Sequence, residues 1–133
     1  MNEEETIKII NSKFKTKLIL NSDKFGYYDA EDENYICEIK NRDKDYYKDK
    51  IIEAVKLFNN IRHSNIVEKR FIYVVTDKKG IWIYNITEHF KNIISVIPTI
   101  KKNMPVTTDF GSNKRIEKAV YYLNENIATK ISL

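Results

Sequence analysis

Apolar residues recur along the chain with two different periods, and these divide it into elements. Ile7, Ile10 and Phe14 fall at helical spacing behind Glu3, Glu4 and Glu5, whose charges suit a first helical turn, so residues 2–14 are expected to be helical. Lys17–Leu20 is a short apolar strand candidate, and Asn21, Ser22 and Asp23 form a turn cluster. Residues 25–32 and 35–41 predict two strands around the polar Asp32, Glu33 and Asn34. Asp43 or Asp45 offers an N-cap for a helix expected from about Tyr46 to Ile61, with Ile51, Val55, Phe58 and Ile61 on one face. Phe71–Thr76 is a near-continuous apolar run, which marks a buried central strand. Asp77, Lys78, Lys79 and Gly80 form a turn that leads back into a strand over Ile81–Ile86, a hairpin. Thr87 can cap a short helix through about Ile94. After Pro98 the pattern weakens: Pro105–Asn113 reads as loop, and Lys118–Leu123 as strand or helix.

Helix, three strands, helix and two further strands predict a mixed sheet with helices packed on it, in the α/β (α+β) class. The length of 133 residues fits one domain covering 1–133, and 42% apolar with 32% charged residues is ordinary globular composition. Three glycines and two prolines leave no linker, and no repeat is visible. The lean towards Ile, Lys, Asn and Tyr fits an AT-rich coding sequence.

Charge and special residues remove several function classes. A net charge of +4 is compatible with nucleic acid without requiring it. Cys37 is the single cysteine, so an intrachain disulfide and a cysteine-rich zinc site are excluded. His63 and His89 sit in unrelated contexts without a zinc-binding spacing, and no phosphate-binding glycine loop exists. The acidic start lacks an apolar signal region, and no apolar run approaches membrane-spanning length. A cytoplasmic protein without membrane contact is therefore expected.

The informative stretch runs from Asp29 to Lys40. If Glu33 and Asn34 are the loop of a tight hairpin, Asp29 faces Glu38 across the ladder, with Cβ atoms about 4.5–5.5 Å apart. Two carboxylates so placed repel unless a cation lies between them, and a hard divalent ion such as Mg²⁺ meets that need. Strand alternation puts Lys40 on the face of Glu38, while Cys37 and Ile39 point to the core. Two acids and a lysine on one face can activate water and stabilise charge on a phosphoryl group.

Asp, then Glu-x-Lys nine residues on, then a helix and a buried strand resembles the PD-(D/E)XK nuclease superfamily over roughly residues 2–86. The segment from Met104 to Phe110 and on to Val120 also looks like the C-terminal part of small phage-type members. The resemblance implies a restriction-endonuclease-like αβββαβ core with a mixed central sheet flanked by helices. It implies a Mg²⁺- or Mn²⁺-dependent DNA endonuclease, with Asp29 and Glu38 as metal ligands and Lys40 assisting the attacking water. A first-helix glutamate often joins the metal: Glu3, Glu4 and Glu5 are candidates, with Glu5 preferred. Lys56 matches the position of an accessory lysine on the following helix. Tyr28 stands where the motif has proline, which makes the short motif less specific. An exonuclease or Holliday-junction resolvase fits the same parts, and a homodimer would supply two cuts. The alternative of another class is a DNA-binding or assembly module that keeps the nuclease fold without activity.

Other residues have two uses each. Arg42 continues the face of Lys40 and could hold a phosphate, or simply end the strand in solvent. Tyr46 and Tyr47 could stack on bases or pack at a helix start. Lys13, Lys15, Lys17, Lys101 and Lys102 suit a phosphate backbone or plain solvation.

Overall fold

The computed structural model describes residues 1–22, 26, 28–42, 45–105 and 115–133. The first helix is α1 (Glu3–Lys13); Asn2 caps it, its side-chain oxygen accepting from the Glu5 N–H at 2.8 Å. Strands β1 (Ile19–Leu20), β2 (Ala30–Glu31) and β3 (Tyr35–Asn41) follow, then β4 (Asp49–Glu53) and α2 (Ala54–Ile66). Strands β5 (Arg70–Asp77) and β6 (Gly80–Asn85) lead to α3 (Ile86–Ile93). Strands β7 (Thr99–Pro105) and β8 (Arg115–Asn124), a 3-10 turn at Glu125–Ile127 and β9 (Ala128–Ile131) complete the order.

The main sheet runs β1-β2-β3-β5-β6-β9 and is mixed: β3 and β5 are parallel and their neighbours antiparallel. A parallel pair needs a long crossover, and β4 with α2 supplies it. Alternation along β3 and β5 sorts side chains between two cores. Cys37, Ile39, Ile72 and Val74 pack with Ile7 and Ile10 of α1. Ile36, Phe71, Tyr73 and Val75 pack with Leu57 and Ile61 of α2, Ile86 and Ile93 of α3, and Ile52, Tyr121 and Leu123 of a second sheet. That second sheet has the order β4-β8-β7. The architecture is thus mixed α/β, a mixed sheet flanked by helices, with a small sheet added on one side.

Several elements depart from the pattern read along the sequence. No helix begins near Tyr46. Lys50 and Ile52 point inward from β4 while Asp49, Ile51 and Glu53 alternate outward, and the helix starts only at Ala54. Val55 and Phe58, expected on its inner face, are 70% and 43% exposed; Leu57 and Ile61 are buried instead. The Asp43 half of the expected cap lies outside the described residues, as does 23–25 of the expected turn and strand; the ordered ladder of β2 covers only two residues. Asn85 rather than Thr87 caps α3, and the Thr87 hydroxyl accepts from the Phe71 N–H at 2.8 Å. Residues 118–123 belong to a strand, while 106–113 of the expected loop lie outside the described residues.

A buried lysine ties the two sheets together. The Lys50 ammonium is 3.2 Å from Asp77 Oδ2 and 3.1 Å from Glu125 Oε2, and it donates to the Tyr47 carbonyl at 2.6 Å. It also lies 4.2 Å from the ring centre of Trp82 and 4.6 Å from that of Tyr46. Among the described residues no helix is long and apolar enough to cross a membrane.

Candidate active site

The hairpin β2–β3 has the expected register, with Ala30 opposite Cys37 and Glu31 opposite Ile36. Its turn is locked by Asp32, whose Oδ1 accepts from the Asn34 and Tyr35 N–H groups, each at 2.8 Å. One step back, Asp29 stands opposite Glu38. Its N–H donates to the Cys37 carbonyl at 2.8 Å, and its Oδ2 accepts from the Ile39 N–H at 2.7 Å. The carboxylate thus takes the place of a ladder carbonyl just before β2 begins, which fixes it beside β3.

Glu38 is 5% exposed, on the face covered by α2. It does not line an open cleft; its Oε1 is 2.9 Å from the Lys56 ammonium, which projects from the first turn of α2. Burial raises the Glu38 carboxyl above its ordinary range, and the charge of Asp29 adds to this, against Lys56 and Lys40. Burial likewise raises Asp29, opposed by the Ile39 amide and the two lysines. A buried and a half-buried carboxylate whose charges oppose each other are a pair that a hard cation would relieve.

Lys40 and Lys56 act on each other electrostatically. Burial and the adjacent Lys56 charge hold the Lys40 amine down to about 8. Burial also works against the Lys56 ammonium, yet the charge and hydrogen bond of Glu38 raise it above its usual value. The proton therefore stays on Lys56, and Lys40 is the amine nearer to releasing one.

Two further acids meet the cluster. Glu3, at the start of α1, is half-buried; burial raises its carboxyl, Asp29 adds to this and Lys40 opposes it. Glu5 is exposed and Glu4 pairs with Lys8 on the helix surface at 3.7 Å, so the first-helix glutamate that feels the site is Glu3, not the preferred Glu5. Glu53, unremarked in the sequence, acts electrostatically on both Lys40 and Lys56 and pairs with Lys118 at 3.1 Å. Its outward position on β4 is readable only once that segment is taken as a strand.

Arg42 extends the line of Glu38 and Lys40; its N–H donates to the Thr76 carbonyl at 2.7 Å and its side chain is exposed. Cys37 is fully buried on the opposite face with its thiol raised well above the usual range by burial, which makes it inert. His63 packs at 5.4 Å from the Tyr28 ring. Among the described residues no three His, Cys, Asp or Glu side chains are close enough together to enclose a metal ion. Compared with family models, with curated proteins and with solved structures, the chain finds no match.

Proposed function

We propose that this chain is a divalent-metal-dependent deoxyribonuclease of the PD-(D/E)XK kind, an endonuclease that hydrolyses DNA phosphodiesters. The observation that carries this is the register that sets Asp29 opposite Glu38 on one sheet, both carboxylates held above their ordinary range, with Lys56 2.9 Å from Glu38 and Lys40 two residues along the same strand. The order α1, β1, β2, β3, α2, β5 within the main sheet and its helices, with β4 set aside, supports a restriction-endonuclease-like core.

Asp29 and Glu38 would hold Mg²⁺ or Mn²⁺. Two carboxylates suffice, because Mg²⁺ keeps several waters and completes its shell with substrate phosphate. Bound there, such an ion would supply Lewis acidity towards a phosphate oxygen and acidify water. Lys40, held down to about 8, would take a proton from the attacking water in its neutral form, or as the cation steady the charge that grows on the phosphoryl group. Lys56 stays cationic and orients Glu38. Glu3 adds negative charge from the helix side. A homodimer would present two such sites to the two strands of a duplex.

The second reading is a DNA-binding or assembly module without activity. It is favoured by one observation: Lys56 already neutralises Glu38 at 2.9 Å, so the carboxylate has a partner without any metal. Plasmid nicking by wild type, Glu38→Gln and Lys40→Met, paired with a Mn²⁺ titration, separates the two. The nuclease binds Mn²⁺ and nicks, and each substitution lowers the rate by roughly 10²–10⁴-fold with the fold retained. A wild type that neither binds Mn²⁺ nor cuts duplex, single-stranded or branched DNA is the module.

A further inference from the structure

A cavity of about 270 Å³ opens past the end of β3, with Arg42 in its wall. Its wall includes Arg42, Tyr47, Asp49, Val75, Lys101 and Tyr122. Val75 is the register partner of Lys40, so the cavity begins one strand over from the cluster's lysine. Arg42 lies one two-residue repeat beyond Lys40, roughly 6.6 Å along the strand. A DNA strand with a phosphate near Lys40 would run on past Arg42 towards this opening.

The lining chemistry narrows the occupant. Tyr47 is 64% exposed and Tyr122 44% exposed, so two phenol rings border the cavity with much of their surface uncovered. The half-buried Lys101 stands 5.7 Å from the Tyr122 ring centre, and Arg42 is an exposed cation. Lys50 and Asp77, also in the wall, are spent on each other at 3.2 Å. Asp45 and Asp49 are exposed carboxylates at the same opening. A bare phosphate gains from Arg42 and Lys101 but meets these two anions. A nucleotide fits all three kinds of group: phosphate for the cations, a base face for the tyrosines, and base N–H donors for the aspartates. The volume lies below the roughly 300–1,000 Å³ of sites for drug-sized ligands, which suits one nucleotide and not a run of them. A base stacked and paired inside a duplex offers no free face to such rings.

We propose that this cavity receives one unpaired nucleotide of a DNA strand whose neighbouring phosphate lies at Asp29, Glu38 and Lys40, so that single-stranded or branched DNA is the preferred substrate. The inference rests on the cluster being where the phosphodiester lies. The test is anisotropy of a fluorescein-labelled single strand and of its duplex, in EDTA, with wild type, the double variant Tyr47→Ala/Tyr122→Ala and the double variant Tyr47→Phe/Tyr122→Phe. The wild type should bind the single strand more tightly. The alanine pair should lose that affinity by on the order of 10- to 100-fold and leave duplex binding unchanged, while the phenylalanine pair retains it. Should the alanine pair melt early, a 2-aminopurine base in the single strand reports on the wild type directly: quenching on binding is expected, and an unquenched complex overturns the proposal. Equal single-strand binding by the alanine pair, or a wild type that prefers duplex, overturns it too. Tyrosine-dependent single-strand binding by a protein that cuts nothing with Mg²⁺ or Mn²⁺ sinks the nuclease proposal alone. Duplex cleavage indifferent to both tyrosines sinks the cavity proposal alone.

Discussion

Replacing Lys50 by Met isolates the charge at the junction of the two sheets. Methionine keeps an unbranched stem of similar length, and its sulfur can lie against Trp82 and Tyr46, which now flank the ammonium at 4.2 and 4.6 Å. What disappears is the countercharge to Asp77, 2% exposed in its side chain, and to Glu125, 17% exposed. Asp77 keeps the Trp82 indole N–H at 3.0 Å and the Lys79 N–H at 2.8 Å, and Glu125 keeps the Tyr46 hydroxyl at 2.8 Å. Breaking one side of a buried pair costs about 3–5 kcal/mol. The surviving hydrogen bonds place this case at the lower end, about 3 kcal/mol. That is a large part of the 5–15 kcal/mol typical of a domain, and urea unfolding should show it as a midpoint shift of about 1 M or more. Acid supplies a second reading. Burial pushes the Asp77 carboxyl up, but the hydrogen bonds from Trp82, Lys79 and Lys50 outweigh it and leave the group below its ordinary value. Its stabilisation is therefore complete above the unfolded value, about 3.9, and is lost as pH falls through the lower folded value. The gap between wild type and Lys50→Met should narrow in that window, and adding Asp77→Asn should recover part of the loss. A cost below about 1 kcal/mol at neutral pH would refute the reasoning, because it would mean the charge is solvated in the native protein.

Glu3→Gln should weaken Mn²⁺ binding about tenfold or more, the usual scale for a group that supports metal ligands, whereas Glu5→Gln should leave it unchanged; a calorimetric titration that ranks them the other way defeats the assignment. Gly80→Ala should destabilise by at least about 2 kcal/mol in thermal melts, since Gly80 has φ +144° and an added Cβ would collide with the Ile131 carbonyl where β6 meets β9; an unchanged melting temperature would show that β9 moves aside freely.

Where local pattern and long-range packing agree, the sequence was sufficient. The first helix, the buried β5, the Gly80 turn and the Asp29–Glu38 register all follow from neighbours a few residues apart. Residues 46–61 show the opposite case. Ile51, Val55, Phe58 and Ile61 keep helical spacing, yet β4 forms because Asp49–Glu53 pairs with a strand some seventy residues later, from Val120 to Asn124. No local period announces such a partner, so the second sheet, Glu53 and the Lys50 cluster stayed invisible. The choice among Glu3, Glu4 and Glu5 was not readable locally for a related reason. All three suit a first turn electrostatically, and only the angle at which α1 meets the sheet decides which one faces Asp29.

The two acids of the site sit on very different footings. Glu38 belongs to a strand hydrogen-bonded on both sides, between β2 and the long parallel partner β5, in the middle of both cores. Asp29 stands just outside a strand of two residues, held by its contacts to Cys37 and Ile39. Opening of the first demands loss of most of the native structure, so its amide should exchange with solvent only at the global free energy, whereas the second can detach in a local fluctuation. One arm of the pair is thus held by the whole fold and the other by two local contacts, so the two should differ most in exchange measured near native conditions.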